Sequence, residues 1–396
     1  MPETVAVIGT FQTPFALRDL RHTFVEQAQQ AAVGALKAAG MTPADIDAIV
    51  FSLAPTSFMG VADADRWSVD HIFAGGKPMM RVHGGGATGG SAVHAAYALV
   101  RSGMFRAVLI VGAERMSETP DVQKVLNQIF DVFYEKDMAL QTITAVGMMA
   151  TRYMHRYGAT EEDFARVVVR QRRNATRNPY AHLKGHITVE DVMASPMVAY
   201  PMKLYDICPR SSGSAAMILA TLEVARERCT RPAFINGVGA VTSTVWIGDR
   251  VVPTADAEFC ELGETALAGR AALARAGIRD PAADIQVAEL YDPFSNMGHA
   301  ALESLGFCSK GTAFRLEREG AWNIDGRVAV CPSGGTLCTN PISVTGLVRA
   351  IEAANQVMGR AGAIQVKGVR NALATAIGGS GQFVNCTIFG EDHSRS

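Results

Sequence analysis

Apolar, β-rich runs alternate along the chain with stretches of helical period. Residues 5–8, a helix over 24–39, residues 46–51, a helix from 91 to about 102 and residues 107–111 follow one another in the first part. That order predicts an α/β fold. It returns in the second part as residues 233–238, a helix over 261–276, residues 287–291, a helix over 296–305, residues 328–330, a helix over 343–358 and residues 373–377. The repetition predicts two similar halves, 1–225 and 226–396, rather than one long sheet. A segment from about 117 to 200, rich in Arg, Met and aromatics, interrupts the first half before residues 212–220 resume it, and is expected to be an inserted loop subdomain. Its basic stretch Arg170-Gln171-Arg172-Arg173 suits a solvated helix face or a phosphate contact. Residues 391–396 are expected to be a disordered tail.

Composition narrows the class. With 396 residues, 48% of them hydrophobic, the chain can bury a large core. A net charge of -1 with scattered Lys and Arg gives no footprint for nucleic acid or an anionic membrane surface. The N-terminus lacks the basic start and long apolar core of a secretory signal, and no run approaches the roughly 20 apolar residues of a membrane span, so a soluble cytoplasmic protein is expected. Seven cysteines without a C-x-x-C pair argue against a disulfide framework and against a zinc or other metal site.

Candidate chemistry sits in glycine-rich turns. Arg81-Val82-His83-Gly84-Gly85-Gly86-Ala87-Thr88-Gly89-Gly90-Ser91 lies between a strand and a helix, where free N–H groups and the helix dipole favour negative charge. Ala376-Ile377-Gly378-Gly379-Ser380-Gly381 follows a strand, and Pro332-Ser333-Gly334-Gly335-Thr336 is a third such turn. A glycine cluster of this kind, taken alone, is more often simply a tight turn. A dinucleotide fingerprint and a phosphate-loop Gly-Lys-Ser/Thr are both lacking, so hydride transfer and nucleotide hydrolysis drop out.

Read together with Glu289-Leu290-Tyr291-Asp292-Pro293-Phe294 and Leu305-Gly306-Phe307-Cys308-Ser309-Lys310-Gly311, these turns resemble the thiolase superfamily nearly end to end. Within it the chain is similar to the sterol-carrier/lipid-transfer-like branch, and most to the aldolases of steroid side-chain degradation. The resemblance implies a duplicated five-layer αβαβα fold, a homodimer, a coenzyme A thioester as substrate with no tightly bound cofactor, and a zinc-ribbon/OB-fold partner protein. It also implies losses. Gly86 stands where thiolases carry the nucleophilic Cys, Asn340 where they carry a His before Pro, and Ala376 where they carry a second Cys. Tyr291 stands where thiolases show Asn or His and the steroid aldolases Tyr.

The implied activity is a lyase that splits a β-hydroxyacyl-CoA by retro-aldol chemistry without an acyl-enzyme. Tyr291 would carry protons, the N–H groups of Gly86 and Gly378 would hold an enolate oxygen, and Asn340 would orient the thioester or a water. His83 beside the first turn and Cys338 near Asn340 are further site candidates. Asp292 is expected to cap the following helix, His94 to be structural, and His299 to face outward as a reserve candidate. Two other readings stay open: a non-catalytic acyl-CoA-binding or scaffold subunit, and an acyltransferase using Cys338 or another atypical nucleophile.

Overall fold

The computed structural model describes residues 3–54, 58–61, 63–131, 133–135, 137–251 and 258–392; residues 393–396 of the expected tail lie outside them. The first half contains β1 (Val5–Gln12), β2 (Ala48–Ser52), β3 (Met79–Val82), β4 (Ala107–Arg115), a small hairpin of β5 (Met197–Ala199) and β6 (Met202–Lys203), and β7 (Ser212–Thr221). The second contains β8 (Ala233–Thr242), β9 (Val287–Glu289), β10 (Ala329–Val330), β11 (Asn371–Gly378) and β12 (Phe383–Gly390).

Both halves are wired alike. In the first, β2 is parallel to β3 and β4, and β7 runs antiparallel to β4 and β1. In the second, β9 is parallel to β10 and β11, and β12 runs antiparallel to β11 and β8. The expectation of separate sheets is corrected at one point. Ala6 and Val7 of β1 pair with Phe234 and Ala233 of β8, which makes a single ten-stranded ladder in the order β10-β9-β11-β12-β8-β1-β7-β4-β2-β3.

The halves enclose two central helices, Thr88–Arg101 and Ile342–Met358, which pack on each other and on strands of both halves. Small residues make this possible. A Cβ on Gly89 would lie 2.1 Å from the Leu347 nitrogen, and one on Gly346 would lie 2.6 Å from the Gly90 nitrogen. Helices Phe24–Ala39 and Gly263–Arg275 cover the outer faces, giving helix, half-sheet, helices, half-sheet, helix, the two half-sheets being the two arms of the one ladder. Phe24–Ala39 begins with a reciprocal Thr23–Glu26 capping box and ends on left-handed Gly40, which explains why its limits are legible from sequence.

Strand β12 escapes the sequence pattern because its polar positions are not solvent-facing. Asn385 bonds Ser91 at 3.0 Å and Thr387 meets His94 at 2.9 Å, so polar side chains of the central helix satisfy them inside the protein. Between β4 and β7 the chain forms helices Val122–Leu126, Thr142–Tyr157, Glu161–Ala175 and Val189–Ala194 and the hairpin. The basic stretch of Glu161–Ala175 is not all solvated. Arg170 is buried, with its guanidinium 2.7 Å from Glu317 and 2.6 Å from the Val330 carbonyl. Among the described residues no helix is long and apolar enough to cross a membrane.

Candidate active site

Tyr291 lies two positions past the end of β9, and that strand end is firmly held. Glu289 accepts from Ser333 Oγ at 2.7 Å and pairs with Arg349 of the central helix, all three side chains being buried. The Tyr291 N–H donates to Thr375 Oγ1 of β11 at 2.8 Å. Its ring is only 5% exposed, and among the described residues its hydroxyl has no hydrogen-bond partner. The hydroxyl comes up against the first glycine turn. A Cβ placed on Gly86 would lie 2.3 Å from the Tyr291 oxygen and 2.4 Å from the Ile377 carbonyl, well inside contact distance. The phenol therefore occupies the room a side chain at position 86 would need.

Gly378 joins the two turns. A Cβ there would lie 1.9 Å from the Gly84 carbonyl and 2.6 Å from the Ala87 nitrogen, so backbone packs on backbone. Thr88 holds the first turn, accepting from the Gly84 N–H at 3.0 Å and donating to the Gly85 carbonyl.

Above this floor opens a cavity of about 480 Å³. Gly86, Gly378, Tyr291, Cys208 and Asn340 line it on one side, and Val125, Phe130, Val146, Met149, Phe259 and Met297 supply apolar wall. Among the described residues four acids also reach the lining, three of them engaged: Glu258 by Arg152 and Arg156, Glu261 by Lys310 and Tyr157, and Glu264 by Ser243 at 2.7 Å. The fourth, Asp249, is exposed.

Electrostatics keep the inner groups neutral. Burial, and secondarily Cys208, push the Tyr291 phenol well above the usual tyrosine range. Burial pushes the Cys208 thiol up to about 12 against the opposing effect of its bond from Asn340. Asn340 Nδ2 donates to Cys208 Sγ at 3.0 Å, while its Oδ1 accepts from Thr345 Oγ1 at 2.8 Å.

Of the residues singled out from sequence, Tyr291, Asn340, Gly86 and Gly378 meet around this cavity. Two others do not. His83 is exposed and outside the lining, because the chain turns inward only at Gly84. Cys338 is buried against Ala175 and Ala181, away from the cavity, where burial pushes its thiol up to about 12. Neither can serve chemistry there.

Asp292 does not cap the next helix; Phe294 is the cap residue. Asp292 is instead buried, bonded by the Gln171 amide and 3.4 Å from the Thr336 N–H, and burial pushes it up to about 7. His299 faces inward rather than outward, fully buried 3.7 Å from Glu317. His94 bonds Thr387, and burial pushes it down to about 4. Cys208 is a polar cavity residue that the sequence did not single out. Its contact with Asn340 spans 132 positions and leaves no local signal.

Comparison with known proteins bears on this geometry. The family "Thiolase, N-terminal domain" matches residues 5–223, and "Thiolase C-terminal domain-like" matches 254–391. An acetyl-CoA acetyltransferase of Methanothermobacter thermautotrophicus is 34% identical over 97% of this chain and 99% of its own. A 17-hydroxy-3-oxo-4-pregnene-20-carboxyl-CoA lyase of Mycobacterium tuberculosis is 31% identical over 94% of this chain and 95% of its own. The solved structure of an Ltp2-ChsH2(DUF35) aldolase superposes with a TM-score of 0.83 at 28% identity, covering 100% of both chains.

Proposed function

The chain belongs to the thiolase superfamily of enzymes, and from that premise we propose that it cleaves a β-hydroxyacyl-CoA by retro-aldol chemistry, without an acyl-enzyme. The observation that carries this reading is the Tyr291 hydroxyl standing in the room of a side chain at position 86. Acyl transfer needs a nucleophile there, and this backbone leaves no volume for one. Retro-aldol cleavage needs instead a base for the β-hydroxyl, a site for the enolate oxygen and an acid for the α-carbon. A phenol held protonated by its burial is such an acid. The N–H groups of Gly86 and Gly378 are assigned to the enolate oxygen, and Asn340 to orientation.

The apolar wall favours a bulky acyl group, and a steroid-sized acid agrees with the named substrate of the mycobacterial relative. The products are a ketone or aldehyde and a shorter acyl-CoA. The test is direct. Incubation with 17-hydroxy-3-oxo-4-pregnene-20-carboxyl-CoA should release the shorter acyl-CoA, detected by mass spectrometry. Any bound CoA ester should also raise the melting temperature, since a ligand at 100 times its Kd adds about 2.7 kcal/mol to the folded state. Binding without cleavage would favour a non-catalytic subunit. Transfer of an acyl group to free CoA would favour an acyltransferase, and a flat melting response to several CoA esters would remove every reading built on a thioester.

We also assign the chain to the cytoplasm, as a homodimer with a zinc-ribbon/OB-fold partner; the partner assignment is supported by the solved aldolase neighbour, which is a two-component complex. Native mass spectrometry of the protein purified from its own host should show that partner, and recovery of the homodimer alone would defeat the assignment.

A further inference from the structure

The far wall of the cavity is built by two stretches that lie outside the ladder. Phe130 comes from the segment inserted between β4 and β7, Ile247 from the stretch after β8, and both line the cavity. They are buried in one cluster with Ala145, and Ile129, Leu140 and Phe259 pack against it. Apolar contact alone would let the two stretches slide, because it has no direction.

A carboxylate supplies the direction. Glu135 is only 6% exposed; its Oε2 accepts from the Asp131 N–H at 2.9 Å and its Oε1 from the Ile247 N–H at 3.1 Å. One side chain thus ties the backbone beside Phe130 to that of Ile247, across 112 positions of sequence. Outside this tie the rings of Tyr134 and Trp246, the residues just before Glu135 and Ile247, meet with centroids 5.2 Å apart. A buried carboxylate stripped of such bonds is costly, so the stretches are held at the separation that satisfies it. Glu135 itself does not line the cavity.

We propose that Glu135 is the positioning residue that sets the acyl end of the site: by fixing Phe130 against Ile247 it determines where a bulky, apolar acyl group of the CoA ester ends. This rests on the reading above for the substrate class and names the part of the chain that measures it. With the thioester oxygen assigned to Gly86 and Gly378, one arm of the ester runs to this wall. Phosphates have no place between Phe130, Ile247 and Phe259, whose side chains offer no partner to a charge. The arm that reaches the wall is the acyl group. A cavity of about 480 Å³ is of the size that encloses a compact fused-ring acid.

The experiment measures affinity by calorimetry for two esters that cannot undergo retro-aldol cleavage. Propionyl-CoA ends short of the wall, whereas 3-oxo-4-pregnene-20-carboxyl-CoA, which lacks the β-hydroxyl, reaches it. Wild type should bind the steroid ester at least about tenfold more tightly, since a single methylene in an apolar pocket is already worth that much. Glu135→Gln keeps the shape but turns an N–H2 group towards one of the two backbone N–H groups. It should lose about tenfold in affinity for the steroid ester, the worth of one bond to a charged acceptor, and keep its affinity for propionyl-CoA. A merely structural loss would weaken both esters together. Should the Gln variant fail to fold, Phe130→Trp keeps the clasp and fills the acyl end, and should weaken the steroid ester far more than propionyl-CoA.

Equal affinity of wild type for the two esters overturns the assignment, as does a variant that retains the full preference or weakens both esters alike. Cleavage is not read in these titrations, so either result leaves the lyase reading to its own test. A preference that depends on Glu135 would stand even in a protein that cleaves nothing.

Discussion

Tyr291→Phe is expected to lower the rate of β-hydroxyacyl-CoA cleavage by about 10² to 10⁴, or about 3 to 5 kcal/mol of transition-state stabilisation. The substitution removes one oxygen and keeps the ring that packs against Gly86. Because that oxygen has no hydrogen-bond partner among the described residues, its loss strands no buried donor or acceptor. Stability should change little, within the roughly 1.5 kcal/mol of a near-isosteric core change. The melting shift produced by a CoA ester should survive, since backbone groups at Gly86 and Gly378 hold the thioester in this reading. With the phenol pushed well above its usual range, Tyr291 should also add no limb to the pH–rate profile at neutral pH. Chemistry lost with binding kept is the signature to look for. A variant cleaving at nearly the wild-type rate would remove Tyr291 from the mechanism even if lyase activity proved real.

What the sequence revealed and what it hid follow one physical division. Elements with a solvent boundary were legible. Phe24–Ala39 shows its limits through the Thr23–Glu26 box and Gly40, and the repeated strand–helix order is the visible trace of two halves wired alike. Elements enclosed by protein were misread, because a polar residue paired to another inside the fold has the same letter as one facing water. Asn385 and Thr387 hid β12 in this way. Arg170, bonded to Glu317, and His299, beside the same carboxylate, read as surface residues for the same reason. The cavity divides likewise. Tyr291, Gly86 and Gly378 sit at motif positions and could be found there, whereas the pairing of Cys208 with Asn340 exists only after folding. His83 and Cys338 were chosen by nearness in sequence, which carries no information about which way a turn sends its side chain. A single residue step takes the chain from exposed His83 to buried Gly84.

Placing a thiol at position 86 should not create an acyltransferase. Gly86→Cys brings a Cβ to 2.3 Å from the Tyr291 oxygen and 2.4 Å from the Ile377 carbonyl, so the floor of the cavity must move before any sulfur can be placed. Overpacking of this kind typically costs about 1 to 3 kcal/mol, and a clash with backbone belongs at the upper end because a carbonyl cannot rotate away. Gly86→Cys should therefore melt lower and lose cleavage, because the displaced phenol no longer meets the α-carbon. The revealing comparison adds Tyr291→Ala. Removing the phenol relieves the first clash and leaves the second, so the double variant should be more stable than the two separate losses predict, by an interaction of about 0.5 to 3 kcal/mol. Recovery should stop short of completion, because the Ile377 carbonyl remains. Unfolding midpoints of the four proteins measure that interaction, and strictly additive losses would show that residues 86 and 291 do not compete for one space. If they do compete, a cysteine nucleophile and a catalytic phenol are alternatives within this backbone, and a chain that holds Tyr at 291 has given up acyl transfer for steric reasons before any question of acidity arises.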